Sequence, residues 1–251
     1  VSLHDRTHGF LTDHTPLRNR ALRKRIVHAR RRAFESVGSR RFSRPAADGI
    51  DAQLQRFLPA HGGVFVEAGA NDGYTWSNTY YLERWHGWRG VLVEGIPQLA
   101  AECEALRTHS QVFNCALVAA DHPSPTVRMT YADLGSLISH SEPELESRLD
   151  DFQKQRYEIE VPARTLGAVL DESGIERPDF ICLDLEGHEP SAIRGMDLER
   201  QGAEWMLVEV LGHEGRIGVE TALGDLYEPV AELTASDVLY RRRATSANAR
   251  R

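Results

Sequence analysis

The chain has 251 residues, 41% of them hydrophobic, which fits one sizeable core and a single domain of roughly 200–250 residues. Its three cysteines, Cys103, Cys115 and Cys182, are an odd count with no close pair, which argues against a disulfide framework or a zinc site and for a reducing, cytoplasmic setting. No apolar run approaches the ~18 residues of a membrane span, and the basic start is not followed by the apolar stretch of a signal peptide.

Net charge is −7, but it is unevenly spread. Before Pro45 stand twelve basic residues and three acidic ones, a net +9 that leaves −16 for the rest of the chain. Such a split fits an arm that seeks nucleic acid or a membrane, or one that docks on its own acidic body. Within it, Leu17, Leu22, Ile26, Ala29, Ala33 and Val37 fall close to helical spacing with arginines between them, which predicts a basic amphipathic helix over 17–37. Its apolar stripe needs a partner, either the acidic cleft of the body or a membrane surface. Pro45 and Gly49 then mark a hinge before a short helix near 50–58. The expected organisation is an arm and hinge at 1–49, a catalytic domain at 50–240 and a disordered tail at 241–251.

From Val64 onward strands and helices alternate, the pattern of a mostly parallel sheet with helices on both faces. The strands are read at "VFVEAG", "GVLVEG", "VFNCALV", "FICLDLEG" and "WMLVEVLG", and the helices at 77–85, 98–107, 165–171 and 190–196. Gly87 stops the first of these helices and Pro190 starts the last. "TVRMTYA" and "YEIEVPA" interrupt the rhythm as an inserted pair of strands, expected above the carboxyl ends of the main strands, where open α/β sheets bind ligands.

The turn after the first strand, Glu67-Ala68-Gly69-Ala70-Asn71-Asp72-Gly73, lacks the middle glycine of a dinucleotide fingerprint and carries acceptors that repel phosphate. A ligand with an ammonium, a carboxylate and a ribose suits it better, and S-adenosylmethionine is such a ligand. Glu94, closing the next strand, can accept both ribose hydroxyls.

The stretches "VEAGANDGYTWSNTYYLE", "GWRGVLVEGIP", "NCALV" and "PDFICLDLEGHEPSAIRGMDL" resemble the FkbM-type S-adenosylmethionine-dependent methyltransferases in the correct order. The resemblance implies a Rossmann-like class I methyltransferase fold, α/β, preceded here by the helical arm. It implies methyl transfer to a hydroxyl, often on a sugar or polyketide. Cofactor contacts are expected from Glu67, Gly69, Asn71, Asp72 and Gly73 in the turn, and from Asn78, Glu94 and Asp184 beyond it.

"DLEGHE" sets the acceptor side. If the strand continues through it, Asp184 and Glu186 point the same way while Leu185 packs behind. With Glu209 at the end of the neighbouring strand, these carboxylates could hold magnesium, which would lower the pKa of a bound hydroxyl. His188 is the candidate general base, with Asp184 beside it, and solvent-facing histidine is the plainer reading. Trp76, Tyr131 and His213 are candidate acceptor contacts, with Ser136 near the adenine or the acceptor. Cys182 reads as a buried small side chain.

The expected activity is O-methylation of a carbohydrate hydroxyl, on an oligosaccharide, polysaccharide precursor or glycolipid, with a polyketide or macrolide hydroxyl as the alternative. A nucleic-acid-binding protein acting through the basic arm is the reading from another class. It is weakened because the arm carries no aromatic platform and the acidic body repels the same polyanion. No nucleic-acid partner and no membrane span are expected, and a homodimer is left open.

Overall fold

The computed structural model describes residues 17–132, 135–138 and 157–244, in two compact units, Val1–Arg44 and Pro45–Arg251. In the first unit, helix α1 (Leu17–Ser36) forms where the helical spacing predicts it. It ends in a Schellman motif, Ser39 N–H donating to Phe34 O and Gly38 N–H to Glu35 O, with Gly38 at φ 76°. Phe42 then folds back on the helix, edge-on to Phe34 at 4.7 Å and under the Arg30 guanidinium at 4.0 Å.

The second unit is built on a seven-stranded sheet. Its strands are β1 (Val64–Ala68), β2 (Arg89–Val93), β3 (Gln111–Phe113), β8 (Phe180–Leu183), β9 (Trp205–Glu209), β10 (Tyr227–Glu232) and β11 (Asp237–Arg242). Their order is β10-β11-β9-β8-β1-β2-β3, parallel except that β11 runs against both its neighbours. A second sheet, β4-β7-β5-β6, joins β4 (Ala116–Leu117), β5 (Thr126–Ala132), β6 (Gly135–Ile138) and β7 (Tyr157–Arg164). The inserted strands expected at "TVRMTYA" and "YEIEVPA" are β5 and β7, and they pair antiparallel.

Strand alternation divides the core into two faces. Val66, Val91, Ile181 and Met206 face one way, against Leu170 of α5 (Leu166–Ser173), Ile193 of α6 (Glu189–Arg194) and Val219 of α8 (Gly212–Leu223). Phe65, Leu92, Phe180 and Leu207 face the other, against Leu54 of α2 (Ile50–Leu54), Leu82 of α3 (Tyr80–His86) and Cys103 of α4 (Pro97–Leu106). The remaining helix, α7 (Leu198–Gln201), is a single turn capped by Asp197, whose Oδ1 accepts from Glu199 N and Arg200 N.

Of the boundaries that differ from the sequence reading, three have a clear local reason. Helix α3 begins at Tyr80 because residues 77–79 bond to Glu67 instead of forming a first turn. "VFNCALV" splits into β3 and β4, in different sheets, where the Asn114 amide donates to Glu94 O and Gly95 O at 2.8 Å each. "FICLDLEG" stops being a strand at Leu183, because Glu189 Oε1 accepts from Leu185 N and Gly187 N and draws the chain into a turn. The region after Gly212, left unassigned in the sequence, forms α8 and the β10–β11 hairpin. That hairpin runs through Arg242, past the expected start of the tail, and residues 245–251 lie outside the described residues.

The sheet centre carries the stability of this unit. Leu92, fully buried in β2, should cost about 2–5 kcal/mol when replaced by alanine, measured by urea denaturation.

Candidate active site

The carboxyl ends of β1, β2 and β8 open into a cleft. On one side of β1 the order runs to β2 and β3, and on the other to β8 and β9, so the cleft lies at the topological switch point. Gly69 makes the crossing possible. It has φ 85°, and a Cβ there would stand 2.0 Å from Asp184 O, so no side chain fits. Gly69 N and Ala70 N both donate to Val93 O at 3.0 Å, which brings the turn down onto β2.

Beneath the turn lies a buried ionic knot. Arg107, which follows α4 and is 1% exposed, donates from Nε to Glu83 Oε2 at 2.9 Å and from its terminal nitrogens to Gly73 O, Ser77 Oγ and Thr79 Oγ1 at 3.1, 3.1 and 2.8 Å. It reaches Glu67 Oε2 at 3.4 Å. Glu67 in turn accepts from Ser77 Oγ, Asn78 N and Thr79 Oγ1 at 2.8, 2.7 and 2.6 Å. Glu67 reaches the cleft wall, but its carboxylate is engaged by the loop. Asp72 is likewise structural: its Oδ1 accepts from Tyr74 N and Thr75 N, and its Oδ2 from Thr75 Oγ1. It is 1% exposed and, with Gly73, sits away from the cleft lining.

Glu94, after β2, accepts from Asn71 N and Ile96 N at 2.8 Å, one amide on each oxygen. Burial raises its pKa, against the lowering effect of the Ile96, Asn71 and Gly95 amides. Beside it the cleft wall is apolar, formed by Val93, Leu99, Ala116, Leu117 and Met129.

The opposite wall is acidic. Asp184, at the end of β8, is open to the cleft. Although its side chain is exposed on the cleft side, the protein encloses it on the others, and that desolvation, followed by the charges of Glu186, Glu189 and Asp237, raises its pKa. At the end of β9, Glu209 has its pKa raised by burial and then by the charge of Asp184, and its Oε2 is buried without a hydrogen-bond partner. The two carboxyls raise each other, so the pair holds on to protons above the usual carboxylate range. Glu189 is pushed up to about 7 by burial. His188 caps α6 and lines the cleft; burial lowers its pKa, and its Nε2 is buried without a hydrogen-bond partner. A neutral imidazole with an unused nitrogen can take a proton.

Most of the residues expected at the site come together here. Gly69, Asn71, Asn78, Glu94, Asp184 and His188 line one cleft, and so do Trp76 and Glu186. Asp184 and Glu186 do not alternate along one strand as expected, because Glu186 sits in the turn at φ 52°. His213 is exposed near the start of α8, away from the lining. Tyr131 and Ser136 pair across β5 and β6, and their side chains lie outside what the structure describes. Asp184 and Glu209 lie close enough to raise each other's pKa, but among the described residues no three His, Cys, Asp or Glu are arranged to hold a metal ion.

Backbone strain also concentrates at this cleft. Among the described residues, four non-glycines have positive φ, and three of them, Asn71, Trp76 and Glu186, line it. For a residue as bulky as Trp76, 47% exposed at φ 60°, the left-handed conformation costs about 1–2 kcal/mol. Two residues that sequence reasoning passed over are Arg107 and Asn114, which fix the two loops without facing the cleft.

A mostly parallel sheet with one reversed strand and a phosphate-averse turn at its switch point defines the class I S-adenosylmethionine-dependent methyltransferase fold. The sequence profile described as the Methyltransferase FkbM domain matches residues 67–233, and the chain belongs to that family. No curated protein sequence matches the chain. Among solved structures it is similar to the methyltransferase FkbM from Methylobacillus flagellatus KT, with 15% identity and a TM-score of 0.46 over 74% of this chain and 45% of that one. It is also similar to an O-methyltransferase from Bacillus cereus in complex with SAH, at 12% identity and TM-score 0.41 over 77% of each chain. A TehB-like methyltransferase from Corynebacterium glutamicum aligns at 11% identity and TM-score 0.44 over 89% of this chain and all of that one.

Two stability predictions follow from this geometry. Arg107→Met leaves Glu67 and Glu83 buried without their counter-charge and should lower unfolding free energy by about 3–5 kcal/mol, read by denaturant titration. Glu189, raised from 4.5 to about 7, keeps a proton in the folded state that the unfolded chain has released. Its contribution is full below the lower value and is lost as pH rises through the upper one. Melting temperature measured across that window should therefore fall less steeply in Glu189→Gln than in the parent.

Proposed function

We propose that this methyltransferase methylates a hydroxyl of a carbohydrate, on an oligosaccharide, a polysaccharide precursor or a glycolipid. The observation that carries the reading is His188 Nε2, buried, unpartnered and kept neutral at the cleft wall beside Asp184. A sugar hydroxyl is a weak nucleophile near neutral pH, and a base positioned to remove its proton is what the transfer needs. Trp76 supports a sugar over a flatter or greasier acceptor. An exposed indole at the rim offers a stacking face, and Glu186 nearby in the lining offers acceptors to ring hydroxyls. Tyr131 is a further proposed acceptor contact.

The cofactor, when bound, supplies an electrophilic methyl on a sulfonium. The residues present fit it. Gly69 leaves bare backbone where a Cβ would collide, and Asn78 Oδ1 is buried without a donor, as an acceptor for an ammonium would be. Glu94 lines the cleft with a carboxylate that can accept from the ribose diol, and Val93, Leu99 and Met129 form an apolar slot for the purine. Asp184 supplies negative charge opposite a cationic centre. Glu67, Asp72 and Gly73 act through the loop conformation. A divalent ion on Asp184, Glu186 and Glu209 is the other means of acidifying a hydroxyl; because these groups are not arranged as a metal site, no step is assigned to it.

The test is labelled-methyl transfer to mono- and oligosaccharides in the presence of a chelator, with a macrolide hydroxyl as the comparison acceptor. Sugar methylation should persist in chelator, and His188→Ala should reduce kcat by ~10²–10⁴-fold while calorimetric cofactor binding is kept. Because burial lowers the His188 pKa, the acid limb of the parent's rate profile should lie below the usual histidine range and be absent from the variant. Parent-like turnover in the variant removes His188 as the base. Dependence on magnesium restores the ion, and methylation of the macrolide alone changes the acceptor class.

A further inference from the structure

The apolar stripe of α1 is exposed. Leu22 is 55% and Ile26 58% exposed, Val37 just beyond the helix is 79% exposed, and Ala29 and Ala33 between them are exposed as well. At 3.6 residues per turn the four helical positions, Leu22, Ile26, Ala29 and Ala33, fall within an arc of roughly 60°. Arg25 and Arg32 border the arc on one side and Arg30 on the other, all exposed. The helix as a whole carries eight basic residues and one acidic one, Glu35, whose carboxylate already accepts from Ser43 Oγ at 2.7 Å.

We propose that α1 rests on an anionic lipid surface, with Leu22, Ile26 and Val37 entering the headgroup–acyl boundary and the flanking arginines meeting lipid phosphates. This goes beyond the catalytic reading and does not depend on it. Besides the chain's own acidic body, three occupants compete for such a face, and charge and apolarity decide between these three. A nucleic-acid backbone satisfies the arginines but gains nothing from Leu22 and Ile26, which stay in water. A second copy of the helix would cover the stripe but would set eight positive charges against eight more. An anionic membrane satisfies both features, since basic residues near such a surface and apolar side chains below the headgroups each add favourably. The stripe is short and two of its members are alanines, so its apolar part alone is weak and binding should require anionic lipid.

The test uses the full chain in co-sedimentation with vesicles of phosphatidylglycerol and phosphatidylcholine in equal parts, and with vesicles of phosphatidylcholine alone. The charge-neutral double variant Leu22→Ser/Ile26→Ser removes the apolar contribution and keeps every arginine. The chain should pellet with the anionic vesicles only, and the double variant should bind them roughly tenfold or more weakly. An unchanged melting temperature in the variant establishes that the fold is intact, as substitutions at exposed positions should leave it. Absence of pelleting, or pelleting that the double variant retains in full, overturns the proposal. So does a dimer in analytical ultracentrifugation that the double variant abolishes, or tighter binding to duplex DNA than to the vesicles.

Discussion

The cofactor-side loop of this protein rests on one buried cation. Arg107 is 1% exposed, and its donors reach Glu67 on β1, Glu83 on α3 and the backbone and hydroxyls of the loop between them. A guanidinium presents a fixed fan of donors, so one residue can set the spacing of several acceptors at once. The loop from Gly69 to Thr79 has little regular structure of its own and carries two strained non-glycine residues, Asn71 and Trp76. Its shape is imposed from below. With two carboxylates and one guanidinium in the interior, the knot keeps a formal excess of negative charge, softened by hydroxyl donors from Ser77, Thr79 and Ser110.

The acidic wall follows a different logic. Around Asp184 the neighbours are other carboxyls, Glu186, Glu189, Glu209 and Asp237, and burial together with mutual repulsion raises pKa values. The charged groups that shift these carboxyls are other carboxyls, with no cation from the chain among them. A site of this kind is electrostatically incomplete by construction, which suits a family whose cofactor brings positive charge. His188, lowered by the same burial that raises the acids, stands neutral among them.

How much of this could be read beforehand depended on how local the cause was. The parallel strands were legible because continuous apolar runs such as "VFV" and "VLV" need burial on both faces, and Gly87 and Pro190 mark helix ends through backbone constraints of their own. The gathering of Gly69, Glu94, Asp184 and His188 was legible from their positions at or just after strand ends, and that of Asn78 from the family resemblance. Arg107 was not: in the sequence it is one arginine at a helix end, and its partners lie up to 40 residues away. Asp72 was read as a ligand contact, yet Asp followed three residues later by Thr is also a local turn signal, and its oxygens close that turn. The strand through "DLEG" failed because Glu189, five residues after Asp184, captures two amides that a strand would have sent to a neighbour. His213 sat at a strand-end position like the others, but there the chain turns outward into α8.

The three cysteines carry a consequence of a practical kind. Cys103 and Cys115 have their thiols raised to about 12 and about 11, and Cys182 stands well above its ordinary value, in every case mainly through burial. The thiolate is the species that alkylating reagents attack, so in the closed sheet all three are chemically silent at neutral pH. They fall silent for different structural reasons: Cys182 in the middle of β8, Cys115 in the turn that leaves β3, and Cys103 on α4 beneath Gly73. Labelling of each can then occur only through a fluctuation that exposes it, and its rate becomes a clock for the opening of that one layer. The protein thus contains its own set of native probes, one in the central sheet, one at the cleft and one under the loop, that distinguish a breathing loop from a parting sheet without any introduced label.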